Sequence, residues 1–267
     1  MIDKISVVMP YYDNDKSIIE SIRSVLNQTT EIKIIIIIVD DGSKSSPQDL
    51  INNNFNSFLE KNENRSIKVI SQKNSGASSS RNRGVEEADT EYVAFLDSDD
   101  LWEKNKLEVQ LDLIEKNNLN VIGSDWNNKS YYLTNKKKQL YKLSKVQIAI
   151  KWWPHISTII IKKTLFNKVG RMDTNFIIGE DGDFFMNIAN HTDLFIARKS
   201  LVRCHTFKNF EFANGLSSNL LAMNKQEIAV IRKHINNIFI KSILIIWVKL
   251  KYIKRVSKRM LFLYRNK

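Results

Sequence analysis

The sequence predicts an α/β protein built on a mostly parallel central sheet flanked by helices, and three observations carry that prediction. Short β-branched runs alternate four times with stretches of helical periodicity in the first hundred residues. The runs lack the polar alternation of a one-sided sheet, so they read as strands covered on both faces. Acidic residues follow several of them directly, at the carboxyl ends where an open α/β sheet forms its ligand crevice.

Taken in order, "KISVVM" from Lys4 is the first strand, followed by Pro10, Tyr11 and Tyr12. In "SIIESIRSVLNQ", Ile18, Ile19, Ile22, Val25 and Leu26 share one helical face. "IKIIIIIVD" is a second strand, ending at Asp40 and Asp41, and "PQDLINNNFNSFLEKN" a second helix. "SIKVIS", "GASSSRNRGVEEA" and "EYVAFLD" supply the third strand, the third helix and a fourth strand that stops at Asp97. Between residues 119 and 210 the pattern is less regular. "STIIIKKTLFNKVG" reads as a strand and a short helix, and "NKKKQ", Asn135 to Gln139, as a solvated hairpin tip. "EDGDFFMNIAN" starts a helix whose positive end favours Glu180, Asp181 and Asp183. "DLFIARKSLVRCH" is a further strand.

With 267 residues, 43% of them hydrophobic, the chain can bury the core of one large domain. A single cysteine, Cys204, excludes an internal disulfide, and with four scattered histidines no zinc-type cluster is expected. The first apolar run is too short for a signal peptide or a membrane span, so the main body is expected in the cytoplasm. The net charge of +12 is concentrated at one end: residues 1–227 hold 30 of the 41 basic residues and all 29 acidic ones.

Asp97, Asp99 and Asp100 stand within four positions in "FLDSDDLW". At the end of a buried strand such carboxylates repel one another and raise their own pKa values, which suits a hard divalent cation bound through oxygen. The alternative is capping of a helix starting near Leu101, and the motif alone leaves both readings open.

Together "VVMPYYDN", "IIVDDGS", "NSGASSSRNRG", "FLDSDDLW" and "GEDGDFF", in this order over residues 4–205, resemble the family-2 glycosyltransferases of bacterial surface-polysaccharide type, which have the GT-A fold. The resemblance implies a catalytic domain over 1–215, with a nucleotide-sugar donor half (1–118) and an acceptor half (119–215). It implies that Asp41 accepts a hydrogen bond from the nucleotide base, with Pro10 and Tyr11 shaping that pocket. Asp97 and Ser98 would lie by the ribose, and Asp99, helped by Asp97, would bind Mn²⁺ or Mg²⁺. Arg81 would approach the donor phosphates or fix the acidic strand end, His205 would lie close to the diphosphate or metal, and Asp181 would be the general base. Gly182 and Asn187 depart from the family pattern, which has an aromatic residue and an arginine at those places, and Ser80 replaces the usual alanine. Trp152 and His155 are open between a sugar-stacking wall and core, and Trp153 reads as core.

Residues 216–267 form the expected helical basic tail. From Asn236 onward aromatic and aliphatic residues alternate with lysine and arginine, and the longest apolar run, Ile243 to Val248, falls far short of the roughly 20 residues needed to cross a bilayer. An interfacial helix on an anionic membrane surface fits best, against a helix packed on the domain with its basic side in water. Charge alone permits a nucleic-acid contact, but no recognition motif accompanies it, so none is expected. The expected activity is inverting, metal-dependent transfer of a sugar from a nucleoside diphosphate, with UDP expected, to a hydroxyl of a lipid-linked glycan in O-antigen, capsule or lipooligosaccharide assembly. A sugar-phosphate nucleotidyltransferase would need a Gly-rich phosphate loop after the first strand, which "MPYYDNDKS" lacks. A non-catalytic sugar- or lipid-binding adaptor is disfavoured by the joint presence of Asp41, Asp97, Asp99 and Asp181.

Overall fold

The computed structural model describes residues 1–129, 138–151, 154–176, 178–204 and 219–265. Its first half alternates as the sequence predicts: β1 (Lys4–Tyr11), α1 (Asp15–Leu26), β2 (Lys33–Asp40), α2 (Gln48–Leu59), β3 (Arg65–Ser71), α3 (Ala77–Glu87) and β4 (Tyr92–Phe95). There follow β5 (Leu101–Trp102), α4 (Lys106–Asn117), β6 (Val121–Trp126), β7 (Leu140–Leu143), α5 (Lys145–Lys151), a 3₁₀ turn (Ile156–Thr158), β8 (Ile160–Lys162), α6 (Lys163–Lys168), α7 (Glu180–His191) and β9 (Leu194–Arg203). Two helices close the chain, α8 (Leu220–His234) and α9 (Ile238–Arg265). Trp152, Trp153 and His205, and most of the expected hairpin tip, lie outside the described residues.

One sheet runs in the order β3-β2-β1-β4-β8-β6-β9-β5, with β7 also on β9. The first four strands are parallel, and β8 enters antiparallel between β4 and β6. β1, β2 and β4 are mostly apolar inside because they lie in the middle of this sheet, and Val7, Ile36, Ile38, Val93 and Phe95 have no exposed surface. Burying each such side chain is worth about 1.5–3 kcal/mol. β3 departs from the expectation of two covered faces. It is the sheet edge, most of its residues are half-buried, and Lys68 is exposed.

Helix α3 lies unusually close to β1: a Cβ added to Gly84 would meet Val8 Cγ1 at 2.3 Å, so only glycine permits this approach. Arg81, one turn earlier on the same helix, is thereby held at the end of β4.

The capping alternative for the acidic motif fails. Leu101 and Trp102 pair with Arg203 and Val202 as strand β5, and the next helix begins only at Lys106, with Asn105 at its N-cap position. The pairing partner lies a hundred residues away, so local sequence could not distinguish strand from helix there.

Candidate active site

The carboxyl end of β4 turns sharply, with Asp100 N–H donating to Asp97 C=O at 3.0 Å. Arg81, nearly inaccessible to solvent, spans two parts of the fold from beneath this turn: Nη2 donates to Asp97 Oδ1 at 2.6 Å and Nη1 to Glu180 Oε1 at 3.3 Å. Burial alone would raise the Asp97 pKa, but the Arg81 guanidinium, aided by His155, holds it below the usual carboxylate range. Of the two roles the resemblance implied for Arg81, the geometry matches the fixing of the acidic strand end.

The same ion-pair bridge brings in the start of α7. Asp181 Oδ1 accepts the Gly182 N–H at 2.8 Å, and burial raises the Asp181 pKa against the pull of His155 and Arg81. Glu180 is raised by burial and by the Asp181 charge beside it. A half-buried carboxylate pushed toward neutrality is suited to receiving a proton.

Asp99 stands apart from this neutralised group. Among the described residues no side chain donates a hydrogen bond or ion pair to its carboxylate, while burial and the charges of Asp100 and Asp97 push its pKa up to about 6. That is the chemistry of a hard-cation ligand: an oxygen donor in an acidic surrounding, where the weaker pull of His155 does not offset the neighbouring carboxylates. Asp99 fits a divalent ion better than Asp97, whose Oδ1 is taken by Arg81.

Asp100 is buried and accepts from Ser157 Oγ at 2.6 Å, and the same hydroxyl accepts the Asp97 N–H at 3.1 Å. His155 Nδ1 lies 3.4 Å from Asp100, and its ring rests against Trp126 with centroids 5.7 Å apart. His155 is therefore neither an exposed stacking wall nor plain core but a half-buried neighbour of the acidic turn. Cys204 packs beside Asp100, and burial and that carboxylate raise its pKa. The ligand atoms of Asp100, His155 and Cys204 lie within 4.8 Å of one another, a grouping that counting cysteines and histidines without carboxylates could not anticipate.

At the neighbouring strand end, Asp41 Oδ1 accepts the Ser75 N–H at 2.8 Å and Gln72 Nε2 at 2.7 Å, and Oδ2 accepts the Gly76 N–H at 2.8 Å. Asp41 thus shapes the loop entering α3, with one of a carboxylate's roughly four acceptor positions left over. The Tyr11 hydroxyl donates to Asp15, and Pro10 precedes it at the end of β1. Ser98 joins the turn to α1: its Oγ accepts Asn14 Nδ2 at 3.1 Å and its carbonyl accepts Ser21 Oγ at 3.0 Å. Arg81, Asp97, Asp99 and Asp181 gather around the end of β4 and the start of α7. Ser157 and the Glu180 contact were missed; Ser157 carries no motif, whereas Glu180 stands in plain view beside Asp181.

Residues 6–181 match the model of the family described as Glycosyl transferase family 2. An uncharacterized glycosyltransferase of Rickettsia conorii is 33% identical over 195 residues, covering 72% of this chain and 31% of that protein. The chain spans about a third or less of the length of the Rickettsia proteins it matches. The Escherichia coli protein WfgD, named as a UDP-Glc:alpha-D-GlcNAc-diphosphoundecaprenol beta-1,3-glucosyltransferase, is 26% identical over 98% of this chain and 97% of its own. Among solved structures, the Pyrobaculum calidifontis mannosyltransferase PcManGT, in complex with GDP-Man and Mn²⁺, superposes with a TM-score of 0.69 at 14% identity, covering 96% of this chain and 75% of that one. Staphylococcus aureus TarS 1-349 in complex with UDP-GlcNAc gives 0.65 at 18% identity, over 94% and 72%. These likenesses identify the GT-A fold.

Proposed function

The chain belongs to glycosyl transferase family 2, and on that footing we propose that it transfers a sugar from a nucleoside diphosphate, with UDP as the expected carrier, to a hydroxyl of a lipid-linked glycan. The observation that carries the reading is the Arg81 bridge, which joins the Asp97–Asp100 turn to the helix start bearing Asp181. A donor site and an acceptor base must face one reaction centre, and one buried guanidinium holds both sides.

In this reading Asp41, with its remaining acceptor position, takes a hydrogen bond from the base, and Pro10 and Tyr11 border that pocket. Asp97 and Ser98 frame the ribose side. Asp99 is the principal ligand for Mn²⁺ or Mg²⁺, and His205 is assigned beside it on the resemblance alone. Bound there, the ion supplies neutralisation of the charge left on the departing diphosphate. Asp181 receives the proton of the acceptor hydroxyl as the glycosidic bond forms, and a single displacement from the face opposite the leaving group inverts the anomeric carbon. The named activity of WfgD, which matches nearly end to end, supports a polyprenol-linked acceptor, and assembly of a bacterial surface glycan at the cytoplasmic leaflet is proposed on the resemblance.

The tail supports the same placement. Phe239, Ile243, Ile246, Leu250 and Ile253 recur every three or four residues along α9, Met260 follows two turns later, and each is more than half exposed. The inward side, Leu244 and Val248, is buried. Such spacing also builds coiled-coil seams, but flanking positions there call for acidic partners to the lysines, and no acidic residue follows Glu227. Anionic lipid complements both the stripe and the charge, so α9 is read as an interfacial helix. No described helix is long and apolar enough to cross a membrane.

Calorimetric titration of UDP with and without Mn²⁺, on the native chain and on Asp99→Ala, tests the donor site. Metal-dependent binding lost in the variant is expected. Binding of neither UDP nor metal by the native chain would return the protein to the adaptor reading.

A further inference from the structure

The third acid of "EDGD" does something different from the first two. Asp183 is buried, and α8 holds both its oxygens: His234 Nε2 lies 2.7 Å from Oδ1 and Lys233 Nζ 2.9 Å from Oδ2. Seven residues further along α7, Asn190 Nδ2 lies 2.9 Å from His234 Nδ1. With the amide nitrogen donating, Nδ1 accepts and the ring proton sits on Nε2, directed at Asp183. Lys233 reaches on to Asp173 at 3.3 Å. The end of α8 therefore grips α7 in its first and last turns.

Helix α9 in turn grips α8. Glu227, buried on α8, accepts Arg255 Nη1 at 3.1 Å, and Asn224 Nδ2 donates to the Val248 carbonyl at 3.3 Å. Helix α9 also touches the segment leading to His155, through Trp247 Nε1 donating to the Ile150 carbonyl at 3.2 Å. A continuous set of polar contacts thus runs from the helix with the exposed apolar stripe to the first turn of α7, where Asp181 sits.

We propose that Asp183, His234 and Lys233 form a positioning clamp that sets the first turn of α7, and hence Asp181, according to how the tail helices are seated on an anionic membrane. The inference rests on the reading of Asp181 as base and α9 as a membrane contact, and it adds that the two are coupled. His234 and Lys233 touch no substrate; they act through α7. Seating of α9 fixes α8, α8 fixes both ends of α7, and the Glu180 contact to Arg81 closes the connection to the acidic turn. A rigid element held at two points transmits such a bias without any large movement.

The test uses the full chain with UDP-glucose and UDP-N-acetylglucosamine as donors, following UDP release to water with and without vesicles of phosphatidylcholine and phosphatidylglycerol. The native protein is expected to show kcat raised at least about fivefold by the anionic vesicles, with KM little changed. In His234→Ala, and in Asp183→Asn as the milder variant, that stimulation disappears, and amide exchange at residues 181–184 quickens about tenfold while exchange in β1 and β2 stays native. Native kcat unmoved by vesicles that bind the protein, or stimulation retained in both variants, overturns the coupling. Loss of the base assignment is recognised separately, by Asp181→Asn retaining native turnover.

Discussion

Arg81 donates to Asp97 at 2.6 Å from a helix that the close approach of Gly84 to Val8 presses against the sheet. The guanidinium is shielded from solvent while Asp97 is half-buried, and the same guanidinium serves Glu180, so one side chain pairs with two acids from distant parts of the chain. Removing it leaves Glu180 without its counter-charge and Asp97 with only the weaker pull of His155. Arg81→Ala is expected to cost about 3–5 kcal/mol in urea unfolding. Arg81→Lys keeps the charge but cannot present a two-pronged fork, so it falls between the two and shows a weakened response to Asp97→Asn in a double-mutant cycle. Equal stability of Arg81→Ala and the native chain would remove the bridge as an organising contact.

Asp181→Asn is nearly isosteric and keeps the acceptor for the Gly182 N–H, so the fold and the donor site are left intact. Transfer or donor hydrolysis is expected to fall by about 10²–10⁴, the usual worth of a general base, with the Kd for UDP unchanged. A variant that binds UDP normally and retains most of its turnover would place the proton acceptor elsewhere.

The contrast between these two residues shows what the sequence disclosed. Asp97, Asp99 and Asp181 were legible because each stands in a short motif at an element end, where apolar periodicity stops and charge begins. The half-sheet of β1 to β4 was legible for the same reason, since each strand is a short, mainly β-branched or apolar run, β3 being interrupted only by Lys68. Ser157 was not, because its hydroxyl meets Asp100 across 57 positions and nothing local marks it. Strand β8 could be seen as a strand, but its antiparallel place between β4 and β6 depends on pairing that periodicity does not encode. The four residues "EDGD" predicted a helix start correctly, yet the same pattern concealed that Asp183 is claimed by His234 rather than by the helix dipole.

Asp99 gives a pH dependence whose sign follows from its environment. Its folded pKa of about 6 lies above the unfolded value of about 4, so between those limits the folded state holds the extra proton and stability falls as pH rises. A divalent ion competes with that proton and relieves the penalty once Asp99 ionises. The increase in Tm produced by Mn²⁺ is therefore expected to be small at pH 5, to grow through pH 6 and to level off above about 7. In Asp99→Asn the Mn²⁺ effect should vanish at every pH. An increase in Tm independent of pH would mean that the ion is held by groups already ionised at pH 5.

The tail prediction turns on which side of α9 is altered. Deleting the helix would uncover Leu244, Val248 and the Glu227 contacts as well as the outer stripe, confounding membrane release with unfolding. Replacing Leu250 and Ile253 by glutamate changes only exposed positions, 55% and 58% accessible in the native chain. Each apolar side chain buried in the headgroup boundary is worth about 1.5–3 kcal/mol, so the double variant should lose at least about a hundredfold in affinity for phosphatidylglycerol vesicles in co-sedimentation, at unchanged Tm. Native binding should also weaken as salt is raised, because the lysines contribute through screened attraction. Vesicle binding that survives the two substitutions would assign the contact to charge alone. A concentration-dependent dimer in light scattering that the same substitutions abolish would instead assign the stripe to a second copy of the chain.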